Sequence, residues 1–158
     1  MTTRGIEYLN KRGIPYQILT YHHEAKGAKY AAQALDLPLE IVIKSLVFQA
    51  DNGSFLFALM SGDGNVSEKK LARASKHKRV APASPHDARR ITSYLVGGIS
   101  PLGTKRELPV FLDRTVASHT EVVINAGARG TLVRLATTDL IDATHAIIAD
   151  IRVEWAME

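Results

Sequence analysis

Ser45-Leu46-Val47-Phe48-Gln49-Ala50 and Ser54-Phe55-Leu56-Phe57-Ala58-Leu59-Met60, separated by Asp51-Asn52-Gly53, read as a β-hairpin. Two runs of branched, aromatic and aliphatic residues are hinged on an Asn-Gly pair that tolerates the positive φ of a tight turn. Upstream, residues 4–12 place Ile6 and Leu9 on one side of a short helix that Gly13 ends and Pro15 keeps from continuing. Tyr16 to Tyr21 predicts a strand that stops at His22-His23-Glu24. Ala28, Ala31, Ala32 and Leu35 recur at helical spacing, and Pro38 can open a further helical turn before Ile41-Val42-Ile43-Lys44.

Downstream of the hairpin, Ser67 caps a predicted helix through Leu71 and Ala74, with Glu68 at its positive end. Ser84-Pro85-His86-Asp87 is a second helix start, combining a capping hydroxyl, a first-turn proline and a carboxylate. Val110-Phe111-Leu112, Glu121 to Asn125 and Thr131 to Leu135 predict three strands. Thr138 caps a short helix with Leu140 and Ile141, and Ala146 to Ile151 predicts the last strand. Short helices scattered among hairpins and meanders suit one α+β domain over residues 1–158 with a mixed or antiparallel sheet. Its strands are dense enough to close into a small barrel.

The 158 residues carry a net charge of +4, with 46% hydrophobic and 23% charged residues, a composition able to bury an ordinary core. The absence of cysteine excludes a disulfide framework, a thiolate metal site and a cysteine nucleophile. His22, His23, His77, His86, His119 and His145 match no zinc spacing, so neither a metal nor a cofactor is expected. No stretch approaches the roughly 18 uninterrupted apolar residues of a membrane span. The first residues hold no apolar signal segment, so a soluble, cytoplasmic protein without a membrane partner is the expectation.

Four elements could carry chemistry. Lys44 stands between apolar runs, where an ammonium belongs either at a strand mouth or in a pocket; a strand-end lysine that snorkels explains the spacing equally well. Gly97-Gly98-Ile99-Ser100-Pro101-Leu102-Gly103 lets backbone N–H groups approach a ligand, although it matches neither a Walker loop nor a dinucleotide fingerprint and a plain turn would look the same. Asn125-Ala126-Gly127-Ala128-Arg129-Gly130 ends a strand in a second flexible turn, and pairing of the two loops would make a concave polar site. The run Lys69 to Arg79, containing Lys69, Lys70 and Arg73, either neutralises phosphates or forms a solvated helix face.

With Lys44-Ser45-Leu46 and Tyr94-Leu95-Val96-Gly97-Gly98-Ile99-Ser100-Pro101-Leu102-Gly103 in view, the sequence resembles the YbaK family of aminoacyl-tRNA deacylases, whose domain also edits within bacterial prolyl-tRNA synthetases. The resemblance runs from about Tyr8 to Ile151. It implies a barrel-like mixed sheet of six or seven strands with helices around it. The implied activity is clearance of cysteine from proline tRNA in trans, with prolyl-tRNA synthetase as partner. By position, the family's lysine falls on Lys44, its Lys-Thr pair on Lys44-Ser45, its glycine loop on Gly97 to Pro101 and its pocket tyrosine on Tyr21. Its strand-end polar residue corresponds to Asn125, followed by Gly127 and the Arg129-Gly130 pair, whereas Leu132 stands where relatives often carry an acid.

The implied mechanism has the substrate's own thiol attack its carbonyl, giving a cyclic thioester and free tRNA. Gly97 and Gly98, with Ile99 and Ser100, are then expected to offer N–H groups to the oxyanion. Lys44 would anchor terminal phosphate or ribose oxygens, Tyr21, Ser45, Pro101, Asn125, Gly127 and Arg129 would contact substrate, and Lys69, Lys70 and Arg73 would bind tRNA. Leu132 and Asn125 leave open a deacylase of alanyl- or seryl-tRNA that uses water. A binding module that grips tRNA or a synthetase without catalysis is a further alternative.

Overall fold

The computed structural model describes residues 2–22 and 27–154. In chain order the elements are α1 (Arg4–Lys11), β1 (Gln17–Thr20), α2 (Ala28–Leu35), a 3₁₀ turn (Leu39–Ile41), β2 (Ile43–Ala50), β3 (Phe55–Ser61), α3 (Glu68–Ser75), β4 (Val80–Pro82) and α4 (Pro85–Thr92). They continue with β5 (Val110–Asp113), α5 (Arg114–Ala117), β6 (Glu121–Ala128), β7 (Thr131–Ala136), α6 (Thr137–Thr144) and β8 (Ile147–Ala149). The α+β class and mixed pairing hold, but the described residues form eight strands in two sheets and no closed barrel. One sheet has the order β1-β7-β6 and is antiparallel; the other has the order β4-β2-β3-β5-β8, with β5 parallel to both its neighbours. The added strand is β4, whose three residues include Pro82 and which hydrophobic patterning does not reveal. A parallel bridge between Val42 and Val123 joins the two sheets at one point.

The period of two along the hairpin decides the layering. Ile43 and Val47 on β2, with Phe57 and Leu59 on β3, face the main core. There they meet Val122, Ile124, Val133 and Leu135 of the smaller sheet, with α1 and α6 closing the margins. Phe48, Leu56, Ala58 and Met60 face the other way, against Leu71 of α3 and Ile151. β3 is buried on both faces from Leu56 to Ser61, which is why its sequence shows no polar alternation.

The hairpin turn is the Asp51-Asn52-Gly53 loop expected from the sequence. Only Gly53 takes a positive φ (87°), and Gly53 N–H donates to Ala50 C=O at 2.9 Å while Ala50 N–H donates to Ser54 C=O at 2.8 Å. This is a three-residue loop closed by a left-handed glycine. The Asn52 side chain instead accepts from Ser54 N–H at 3.0 Å. Ser67 and Ser84 cap α3 and α4 as their sequences require, accepting from Lys70 N–H at 3.2 Å and Asp87 N–H at 3.1 Å. Thr138 does not cap α6: the helix starts one residue earlier, at Thr137, with Ala136 in the cap position. The four-residue α5 is too short to show a periodic stripe in the sequence.

Candidate functional site

β2 is paired with β3 from Ile43 to Gln49, but its other edge is covered only in part. β4 pairs with Phe48 to Ala50, and a last bond runs from Ala83 N–H to Val47 C=O at 2.9 Å. There the chain turns away into α4, which Pro85 begins. At the opposite end of β2, Val42 bridges to Val123 on β6. Between these two closures lies a cleft of about 450 Å³ whose wall is β2 from Ile43 to Phe48. Its other sides are Ala28 and Ala31 of α2, Pro82 and Ala83, the Gly97 loop, and Asn125 with Leu132.

The two glycine-bearing loops do pair. Asn125 Nδ2 donates to Gly97 C=O and to Ala128 C=O, both at 3.1 Å, while its Oδ1 accepts from Gly127 N–H at 2.6 Å and Ala128 N–H at 3.1 Å. Arg129 Nε adds a bond to Val96 C=O at 2.9 Å. The bulge that interrupts β6 between Asn125 and Ala128 is thus tied down by the carboxamide at its start. Gly127 holds φ at 110°, and a Cβ there would stand 2.7 Å from the Tyr94 ring. Tyr94 in turn donates its hydroxyl to Leu102 C=O, and its burial pushes the phenol pKa up to about 12.

Of the residues singled out from the sequence, Tyr21, Lys44, Ser45, Gly97, Ile99 and Asn125 line the cleft, as does Leu132. Others do not. Ser100 is fully buried, with its hydroxyl accepting from Leu102 N–H at 3.1 Å, and Pro101 is buried beside it. Gly98 spends its N–H on Leu95 C=O at 2.8 Å and packs against the Ala128 backbone, so it is not a free oxyanion donor. Gly127 and Arg129 shape the bulge and brace the loop from outside the cleft lining. Ala28, Ala31, Pro82 and Val96 were not foreseen as site residues; the small residues of the α2 stripe were the one visible signal.

Lys44 lies half-buried on the face of β2 opposite to Ser45, and its Nζ donates to the Gly64 carbonyl. Burial first, and the neighbouring Arg152 second, lower its pKa from the ordinary 10.5, while Asp63 opposes them. Tyr21 lies near Tyr30, with ring centroids 5.7 Å apart. Burial, followed by that neighbour, raises its pKa above 10.0. Ser45 Oγ is buried and has no hydrogen-bond partner among the described residues. No Asp, Glu, His or Arg lines the cleft among those residues. On α3, Lys69 and Arg73 are exposed, whereas Lys70 is engaged with Asp150 at 3.1 Å and Glu154 at 3.7 Å. His23 lies outside the described residues.

Comparison with known proteins gives a consistent result. The family described as the aminoacyl-tRNA editing domain matches residues 22–143. EbsC of Enterococcus faecalis, named as a candidate Cys-tRNA(Pro)/Cys-tRNA(Cys) deacylase, is 26% identical over 151 residues, which cover 94% of this chain and 92% of EbsC. A proline–tRNA ligase of Trichlorobacter lovleyi is 33% identical over 116 residues, 72% of this chain but 20% of the ligase, so the chain spans about a fifth of that enzyme. A crystal structure described as a candidate trans-editing enzyme for prolyl tRNA synthetase superposes with a TM-score of 0.87 at 28% identity, covering 96% of both chains.

Proposed function

The chain belongs to the aminoacyl-tRNA editing domain family, and from that premise we propose that it is a trans-editing deacylase that removes cysteine from mischarged proline tRNA. The observation that carries the reading is a cleft without an activated nucleophile. The chain has no cysteine, the one serine lining the cleft has no histidine or carboxylate beside it among the described lining residues, and the Lys44 ammonium is occupied by a carbonyl. A site so built suits a substrate that carries its own nucleophile.

In this reading the cysteinyl sulfur attacks the ester carbonyl carbon, a C–S bond forms and the C–O bond to the terminal ribose breaks. The thiol proton ends on the departing ribose oxygen, and the products are a four-membered cyclic thioester and intact tRNA. The protein contributes orientation, and holding thiol and ester together is worth an effective molarity of roughly 10⁵ M or more. Ala28, Ala31, Val42 and Leu132 offer small apolar surface, which suits a small side chain. Lys44 anchors terminal phosphate or ribose oxygens, exchanging the Gly64 carbonyl for an anion because a bond between two ions is the stronger. Lys69 and Arg73 meet tRNA phosphates, and prolyl-tRNA synthetase supplies selection of the tRNA.

The same apolar floor favours a second reading, in which alanine is the residue removed and water attacks. Deacylation of proline tRNA charged separately with cysteine, alanine, serine and proline separates the two. Rapid loss of cysteine alone supports the thiol route, loss of alanine or serine replaces it with water, and no loss of any leaves a tRNA- or synthetase-binding module.

A further inference from the structure

The open stretch of β2 has its own chemistry, set by the alternation of the ladder. In an antiparallel strand the N–H and C=O of one residue point to the same side, and those of the next residue point to the other. Ala50 N–H bonds toward β3, at Ser54 C=O, whereas Val47 C=O bonds away from β3, at Ala83 N–H. Counting back by twos from Val47, Ser45 also directs both of its main-chain groups away from β3. They reach the stretch where β4 has already departed, and Ser45 lines the cleft. The Ser45 hydroxyl on the same residue is buried and unpartnered.

The rest of the cleft narrows the choice. Asn125 spends both carboxamide ends on the two loops, and Lys44 is held at Gly64. No carboxylate lines the cleft among the described residues, where Leu132, 4% exposed, adds apolar surface. Among the described lining residues a substrate ammonium therefore finds only uncharged acceptors.

We propose that Ser45 binds the aminoacyl group by main-chain pairing, its C=O accepting from the substrate's α-ammonium and its N–H donating to the ester carbonyl oxygen. This inference rests on the reading of the cleft as a deacylation site. An aminoacyl ester carries its amine and carbonyl in the relation of one residue's N–H and C=O, so it completes a two-bond antiparallel pair with a single strand residue. It occupies the ladder position that β4 vacates beyond Ala83, and the same antiparallel sense sends the ribose toward Val42, Asn125 and Gly97. The Ser45 N–H then stays with the carbonyl oxygen as it becomes an oxyanion, the task for which the Gly98 amide is already spent. Recognition lies in the backbone, so no carboxylate is required of the described lining residues to hold the amine.

Two measurements test this. The first compares proline tRNA esterified with cysteine and with 3-mercaptopropionate, which keeps thiol and ester but lacks the amine. Each catalysed rate is taken relative to that ester's rate without protein. Loss of a charge-assisted bond lowers the enhancement about 10- to 100-fold for the desamino ester; an equal enhancement for both overturns the proposal while leaving deacylation standing. The second follows amide hydrogen exchange with 3′-deoxy-3′-(cysteinylamino)adenosine, whose amide linkage resists cleavage. Ser45 N–H becomes protected about tenfold or more, while Lys44 and Leu46, already bonded to β3, do not change. Binding marked by shifts at Gly97 and Ile99 without protection of Ser45 overturns the proposal. Absence of both binding and deacylation of any aminoacyl-tRNA removes the reading of the cleft itself, and this inference with it.

Discussion

The two halves of β2 share one strand and differ in one respect. From Val47 to Ala50 the strand is bonded on both edges, by β3 and by β4 with Ala83; from Lys44 to Leu46 it is bonded to β3 and faces the cleft on the other edge. The first half is mainly scaffold, with Phe48 and Ala50 buried in it, and only Val47 and Phe48 of it reach the cleft wall. The second half carries Lys44 and Ser45, both partly accessible. A site here is made by ending a ladder early, which leaves polar backbone beside a largely apolar cavity whose one charged side chain among the described lining residues is Lys44.

Separability of scaffold and site is the first consequence to test, where the largest effect is expected. Phe57 lies opposite Val47 in the ladder, is 1% exposed and stays clear of the cleft lining. Phe57→Ala should cost about 4 kcal/mol in denaturant unfolding, with deacylation per folded molecule unchanged at low temperature. A fall in activity beyond the unfolded fraction would merge the two halves into one unit. Gly127→Ala comes next, because its side chain meets the Tyr94 ring in a left-handed backbone. The expected loss is about 3 kcal/mol, and a loss below about 1 kcal/mol would show that the bulge yields.

Tyr94→Phe is the smallest and the most specific. It removes the bond to Leu102 C=O and should cost about 1–2 kcal/mol near neutral pH. The folded pKa of Tyr94, about 12, exceeds the ordinary 10.0, so the native state keeps its proton longer than the unfolded chain. Stability from this group is fully present below pH 10.0 and is lost as pH rises toward about 12. The variant should therefore show a flatter decline of stability across that window, and an unchanged slope would place the buried proton elsewhere.

Much of this was legible in the sequence, for physical reasons that differ by element. The hairpin, the serine caps of α3 and α4 and the Gly97 loop were visible because each rests on a local rule: hydrophobic runs, a capping hydroxyl, a cluster of glycines. β4 was not visible, since three residues ending in proline become a strand only when β2 lies beside them. The pairing of the Gly97 and Asn125 loops joins partners 28 residues apart in sequence, beyond the reach of any local rule. Ser100 and Gly98 looked like ligand contacts because glycine-loop chemistry resembles turn chemistry; the fold spends their polar groups on the turn. The open edge at Ser45 could not be read in advance, because it depends on where a neighbouring strand stops.

The aminoacyl ester is proposed to be cleaved in the cleft beside the open half of β2, which Lys44 lines. The most direct test of this is the single-turnover rate of cysteine loss from proline tRNA, measured for the wild-type chain and for Lys44→Ala with circular dichroism as the check on folding. A fall of about 100-fold or more in a folded variant is expected. Near wild-type cleavage by Lys44→Ala would contradict it.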